Sequence, residues 1–258
     1  MSTRTDAIVE WLRQRLTQSG ARGFVFGLSG GIDSAVVARL CQAAAPAAVV
    51  GVLLPCHSDP QDEVDATLVA DHFRIPTIRV DLGRSYNLFT STLGDAVSAL
   101  LAEQVASGAH SGDDDRSRLA LANVKPRLRM AALYHVANTL NYLVAGTGNR
   151  SELAIGYFTK HGDGAADLLP IGELLKSEVG AAARDLGVPD PIIDKAPSAG
   201  LWTGQTDERE MGFSYVELEN YLENGAETVS PALAMRIERL IRTSEHKRSV
   251  APTPGAES

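Results

Sequence analysis

Cysteine is scarce in this chain. Cys41 and Cys56 are the only two in 258 residues, and they make no metal motif. Cys41 lies among helix-forming apolar residues and reads as a small buried hydrophobe. Cys56 adjoins His57, but neighbours along a chain rarely face each other productively, so no nucleophile–base pair is expected. No run of about 20 apolar residues occurs, which leaves no candidate membrane span. The N-terminus lacks a secretory hydrophobic region. The expectation is therefore a soluble, cytoplasmic protein. Positive charge is also short. The 24 Lys and Arg against 32 Asp and Glu give a net charge of -8, which argues against a general nucleic-acid surface and leaves room for a local basic pocket. No internal repeat is visible.

A hydrophobic content of 44% supports a sizeable core. Helical spacing of Ile8, Trp11, Leu12 and Leu16 predicts a helix over 4–19. Apolar runs predict strands at 24–28, 47–54, 75–80 and 140–145. Helices are expected after residue 34 and over 61–73, 86–106, 119–138, 173–186, 214–223 and 230–243. The polar stretch 107–118, with Asp113-Asp114-Asp115, reads as a solvated loop. Residues 156–170 and 196–213 fit no regular element, and the second is long enough to be a lid. Strand–helix alternation of this kind predicts an α/β fold, a doubly wound parallel sheet with helices on both faces. One domain over 1–250 and a disordered tail over 251–258 are expected. Ligands in such sheets sit beyond the carboxyl ends of the strands. Segments 27–34, 55–59 and 81–84 should converge there.

The chain is organised around Gly27-Leu28-Ser29-Gly30-Gly31-Ile32-Asp33-Ser34. An apolar strand leads in and a helix leads out. Adjacent glycines permit positive φ and close approach of a ligand. Two hydroxyls and the free N–H groups of a helix start add donors, so the segment reads as a phosphate cradle. Asp33 should repel phosphate unless Mg²⁺ lies between them. The loop is neither a Walker A motif nor G-x-G-x-x-G. A second glycine turn, Gly146-Thr147-Gly148, ends the fourth strand and precedes Glu152 at a helix start.

The glycine loop resembles the signature of the ATP pyrophosphatase superfamily, which cleaves ATP between the α and β phosphates. Six further stretches extend the likeness. They are 123–130, 146–152, 156–167, 197–202, 204–208 and 245–248. In this order and spacing the chain resembles the ammonia-dependent NAD synthetases over roughly residues 5–250. The resemblance implies ATP-dependent amidation of deamido-NAD⁺ by ammonia through an adenylate, releasing AMP and pyrophosphate. It implies Mg²⁺ held by Asp33 and Glu152, and ATP contacts at residues 27–34, Arg79, Thr147, Lys176 and Ser198. It places Arg127, Lys160, Asp163, Asp167, His246 and Lys247 on the deamido-NAD⁺, with Asp33, Lys176 and Lys160 catalytic. The family's homodimer would use helices 86–106 and 119–138. Pro126 inside the second of these implies a kink aiming Arg127 inward. No glutaminase-like cysteine context is present, so free ammonia or a partner must supply nitrogen.

Two alternatives stay open at this level. A tRNA-thiolating or GMP-forming enzyme would share the glycine loop. The first usually recruits extra cysteines and a basic surface, and the second lacks the 156–167 segment. A nucleotide-binding module without catalysis would need neither Glu152 nor the 196–213 lid.

Overall fold

Strands β1 (Phe24–Gly27) and β2 (Val49–Leu53) are apolar throughout, as strands covered on both faces must be. With β3 (Thr77–Arg79) and β4 (Leu143–Val144) they form one parallel sheet in the order β3-β2-β1-β4. Phe24 stands opposite Val49 on one side and Leu143 on the other. The computed structural model describes residues 3–106, 114–198 and 206–254. Its helices are α1 (Thr3–Ser19), α2 (Ile32–Ala44), α3 (Pro60–Phe73), α4 (Gly83–Ala106), α5 (Asp114–Ala122), α6 (Val124–Leu140) and α7 (Arg150–Ile155). There follow α8 (Lys176–Asp185), α9 (Asp190–Ile193), α10 (Asp207–Met211), α11 (Tyr215–Asn224), α12 (Pro231–Thr243) and α13 (Glu245–Arg248). Among the described residues no helix is long and apolar enough to cross a membrane.

The period of two along β1 divides the core. Phe24 and Phe26 face α1, α2, α3, α8 and α9, and Val25 faces α6 together with Val52, Val144 and Ala137. Both phenylalanines and Val25 are fully buried. Each such side chain contributes roughly 1.5–3 kcal/mol. A satellite cluster of Ile155, Met211, Phe213, Leu218 and Ile237 packs α7, α10, α11 and α12 beside the sheet. The chain runs outward from β1 to β2 and β3, then returns to pair β4 on the other side of β1. The crevice where the order reverses lies at the carboxyl ends of β1 and β4.

The expected doubly wound sheet is present, with several boundaries corrected. The fourth strand begins at Leu143 rather than 140, because α6 runs to Leu140 and Asn141 closes it in the left-handed region. The helix expected over 119–138 is two helices that meet at Asn123. Pro126 therefore lies in the first turn of α6, where its missing N–H had no partner to lose, and no kink is required. The polar loop ends earlier than expected, since α5 starts at Asp114; residues 107–113 lie outside those described. The helix expected over 173–186 starts at Lys176. Helix α10 occupies part of the 196–213 stretch, of which 199–205 lie outside the described residues. Beyond α13, residues 249–254 carry no helix or strand, and 255–258 are not among those described.

Only one of the paired glycines uses the left-handed region. Gly30 has φ +77° and presses on the start of α3, where an added Cβ would lie 2.5 Å from the Asp62 carbonyl oxygen. Gly31 is extended at φ -93°, and its Cβ would meet only the Ser29 hydroxyl at 3.4 Å. Gly30→Ala should therefore cost at least about 1–2 kcal/mol in urea denaturation, from the conformation alone. Gly31→Ala should cost less than about 1 kcal/mol. Equal losses in the two variants would contradict the close approach.

Candidate active site

A cavity of about 890 Å³ opens at the carboxyl edge of the sheet. As expected, segments 27–34, 55–59 and 81–84 all contribute to its wall. The 156–167 segment reaches it because its end pairs beside β4. Gly146 N–H donates to the Leu168 carbonyl at 2.8 Å, and Asp167 N–H to that of Val144 at 3.0 Å.

The glycine loop is tied internally. The Ser34 hydroxyl accepts from Ser29 N–H at 3.2 Å and donates to the Gly31 carbonyl at 2.8 Å. The Ser29 hydroxyl donates to Ser34 Oγ at 3.1 Å. Both hydroxyls therefore shape the loop. The donors left for an anion are backbone N–H groups, because α2 has no side-chain cap at Gly31. Thirteen residues of helix dipole stand behind them.

Asp33, in the first turn of α2, meets Glu152 through one amide. Asn149 caps α7, accepting from Glu152 N–H at 3.0 Å with Oδ1 and donating to Asp33 Oδ1 at 3.0 Å with Nδ2. Glu152 completes the capping box by accepting from Asn149 N–H at 3.3 Å. Lys176, the first residue of α8, then lies between both carboxylates. Its Nζ is 2.5 Å from Asp33 Oδ2 and 3.8 Å from Glu152 Oε1. The three side chains are mostly buried, at 11–18% exposed. Burial, then the Asp33 charge, pushes the Glu152 carboxyl up to about 8, against the pull of Lys176. Burial alone would lower Lys176, but Asp33 and Glu152 raise it above the ordinary lysine range.

Asp207, buried at the start of α10, joins this group through Tyr215 and is bonded on its other side by Tyr157. Tyr215 OH donates to Asp207 Oδ2 at 2.9 Å and lies 3.5 Å from Glu152 Oε1; Tyr157 OH is 3.2 Å from Asp207 Oδ1. The Tyr215 ring also sits 5.3 Å from the Lys176 ammonium. Burial raises the Asp207 carboxyl, while the tyrosine bonds lower it. One ammonium thus serves three acidic side chains, and a cation beside them would favour their ionised forms. Asp33 Oδ2 and Glu152 Oε1 already face one cationic atom. No group of three or more His, Cys, Asp or Glu suited to a metal occurs among the described residues. Two carboxylates fit Mg²⁺, which keeps waters and phosphate oxygens as its other ligands.

The remaining expected residues divide. Arg79, Thr147, Ser198, Asp163 and Lys247 line the cavity, whereas Arg127, Lys160, Asp167 and His246 do not. Arg79 is half exposed and bonded to Glu63 at 2.7 and 3.2 Å. Asp163 opens to the cavity, although surrounding protein raises its carboxyl; it accepts from Thr159 N–H at 2.9 Å. Lys247 donates to the Gly156 and Phe158 carbonyls at 2.7 and 2.8 Å, which pins the 156–167 segment to the chain end. Arg127 is exposed and, among the described residues, reaches only the Lys160 carbonyl at 3.4 Å, while Lys160 Nζ donates to the His246 carbonyl. Asp167 accepts from Val144 N–H at 2.8 Å and from Tyr134 OH at 3.2 Å.

The model of the NAD synthase family matches residues 4–251. The chain belongs to that family. It is 48% identical over 251 residues to the NH(3)-dependent NAD(+) synthetase of Carboxydothermus hydrogenoformans, covering 97% of this chain and 96% of that one. The corresponding protein of Syntrophomonas wolfei is 44% identical over 245 residues, covering 95% and 92%. A solved NMN synthetase from Francisella tularensis superposes with a TM-score of 0.85 at 37% identity, over 99% of each chain.

Sequence reasoning gave no role to Asn149, Asp207 or Tyr215 in this NAD synthase. The N-x-x-E spacing of Asn149 and Glu152 is a capping-box signal that was available. The contacts of Tyr215 were not, because they cross between α7, α10 and α11. Tyr215→Phe keeps the ring over Lys176 and removes the hydroxyl from a buried carboxylate. It should cost about 1–3 kcal/mol in chemical denaturation. A change below about 0.5 kcal/mol would show that the hydroxyl bond contributes nothing.

Proposed function

We propose that this chain amidates deamido-NAD⁺ to NAD⁺ with ammonia and ATP. The observation that carries the reading is the convergence of Asp33, Glu152 and Lys176 at the end of the glycine loop, in a chain whose residues 4–251 match the NAD synthase family. Relatives named for the NH(3)-dependent reaction support it.

A carboxylate is a poor acyl donor, so the reaction starts by changing its leaving group. An oxygen of the nicotinate carboxylate attacks the α-phosphorus of ATP, the bond to the bridging oxygen breaks, and pyrophosphate leaves. Ammonia adds to the acyl carbon, the bond to AMP oxygen breaks, AMP leaves with the electron pair, and nitrogen gives up a proton. The N–H groups at the start of α2 hold phosphate oxygens, and Lys176 meets negative charge that develops on them. Asp33 and Glu152 would hold Mg²⁺, which would supply positive charge against the phosphates. Arg79, Thr147 and Ser198 extend the ATP contacts. Arg127, Lys160, Asp163, Asp167, His246 and Lys247 are assigned to the acceptor, with Lys160 beside the reacting end. The clustering of Arg127, Lys160 and His246 supports one anionic subsite. Arg127 and Lys160 gain free donors once an anion displaces their carbonyl contacts. A cytoplasmic location fits these substrates.

The NMN synthetase likeness favours a second acceptor, the shorter nicotinate mononucleotide. A coupled assay of AMP, pyrophosphate and amide product separates the two. We expect turnover with deamido-NAD⁺ and ammonia, little with glutamine, and a lower kcat/KM for the mononucleotide. AMP release with xanthosine monophosphate alone would sink the reading. Asp33→Asn should reduce turnover by at least about 100-fold with the fold intact; near-normal rates would remove Asp33 from the metal site.

A second copy of the chain is the proposed occupant of α4. Phe89, Leu93, Val97 and Leu100 form one helical stripe and are 46–53% exposed, continued by Leu119 and Leu121 of α5. Leu93→Glu with Val97→Glu should convert a dimer to monomer in analytical ultracentrifugation. An unchanged sedimentation coefficient would exclude this face.

A further inference from the structure

Arg129 lies two residues after Arg127 on α6, a rotation of about 200° around the helix. The two side chains therefore take opposite directions. Arg127 is exposed outside the cavity lining, whereas Arg129 is part of the cavity wall. Its Nε donates to the Leu54 carbonyl at 3.1 Å and its Nη2 to the Ser58 hydroxyl at 3.0 Å, both at the carboxyl end of β2. A guanidinium carries five N–H donors, so others remain, including both on Nη1.

The other basic side chains of the cavity are committed or exposed. Lys176 is paired with Asp33, and Lys195 with Asp62 and Asp65 at 2.8 and 2.5 Å. Arg79 is paired with Glu63 and Asp81, and Lys247 is bound to two carbonyls. Arg84 is exposed. Arg129 is enclosed, and among the described residues no carboxylate lies at ion-pair distance from it. Burial accordingly lowers its pKa, with longer-range support from Cys56, Asp163 and Asp62. Enclosing a charge without a counter-charge is costly, and an anion arriving in the cavity would offset that cost.

The two distant carboxylates also locate the site. Asp62 stands at the start of α3 against Gly30, on the phosphate-cradle side, and Asp163 belongs to the 156–167 segment on the acceptor side. We propose that Arg129 binds an anionic oxygen where the two substrates meet, either a phosphate oxygen of ATP or a carboxylate or phosphate oxygen of the acceptor. The assignment rests on the proposed ligase reading and deepens it. A guanidinium there would hold two anionic groups close enough to react.

The test is calorimetric titration of Arg129→Gln, Arg129→Lys and Ser58→Ala, with MgATP and deamido-NAD⁺ in separate arms at two ionic strengths. Arg129→Gln should weaken one ligand roughly tenfold or more, and that ligand names the source of the anion. The affinity should also depend less steeply on salt than in the parent protein. Arg129→Lys should restore part of the loss, and Ser58→Ala, which removes only the brace to the β2 end, should stay within about twofold. Binding of both ligands within twofold of the parent by Arg129→Gln would overturn the proposal, as would an equal loss in Ser58→Ala. If Arg129→Gln does not fold, Arg129→Lys decides: a threefold loss on one ligand supports the site, and parental affinity for both refutes it. A parent protein that binds neither ligand would instead sink the ligase reading.

Discussion

One ammonium among three carboxylates is the constraint on which the site depends. Lys176 Nζ contacts Asp33 and faces Glu152, and Asp207 lies beyond them through the Tyr215 hydroxyl. Left unpaired at this depth, the carboxylates would repel one another at several kcal/mol. The lysine holds them together. A cation beside them would favour their ionised forms.

That cluster exists because three helix starts point at one place. Asp33 is in the first turn of α2, Glu152 in the first turn of α7, and Lys176 opens α8. Helix starts carry unsatisfied N–H groups and positive dipole, which favours the two acids and opposes the lysine. The lysine is held there by its acidic partners. Asn149 links the first two helices through a single amide across 116 residues of sequence. The parallel pairing of β1 with β4 makes that link reachable. A shift of β4 would move Asn149, Glu152 and the 156–167 segment together.

Much of the fold was legible because its signals are local. Apolar runs marked the four strands, helical spacing marked most helices, and Gly30-Gly31 with Asp33 marked the turn from β1 into α2. The errors also have local causes. Pro126 suggested a kink in one long helix, but Asn123 divides that stretch and puts the proline where a proline is tolerated. What no local pattern showed is that the Ser29 and Ser34 hydroxyls also hold the loop's own shape.

The sequence by itself determined the alternation of strands and helices, the glycine turn, and the acidic residue at each of two helix starts. These follow from spacing within a few residues. The tertiary structure alone decided which side chains meet. It brought Asn149 onto Asp33 and Tyr215 between Lys176 and Asp207, and it turned Arg129 into the cavity while leaving Arg127 outside. Contacts of this kind depend on strand pairing and on the residue at which each helix begins. A two-residue step on a helix reverses a side chain's direction, and no local pattern records which direction faces the cavity.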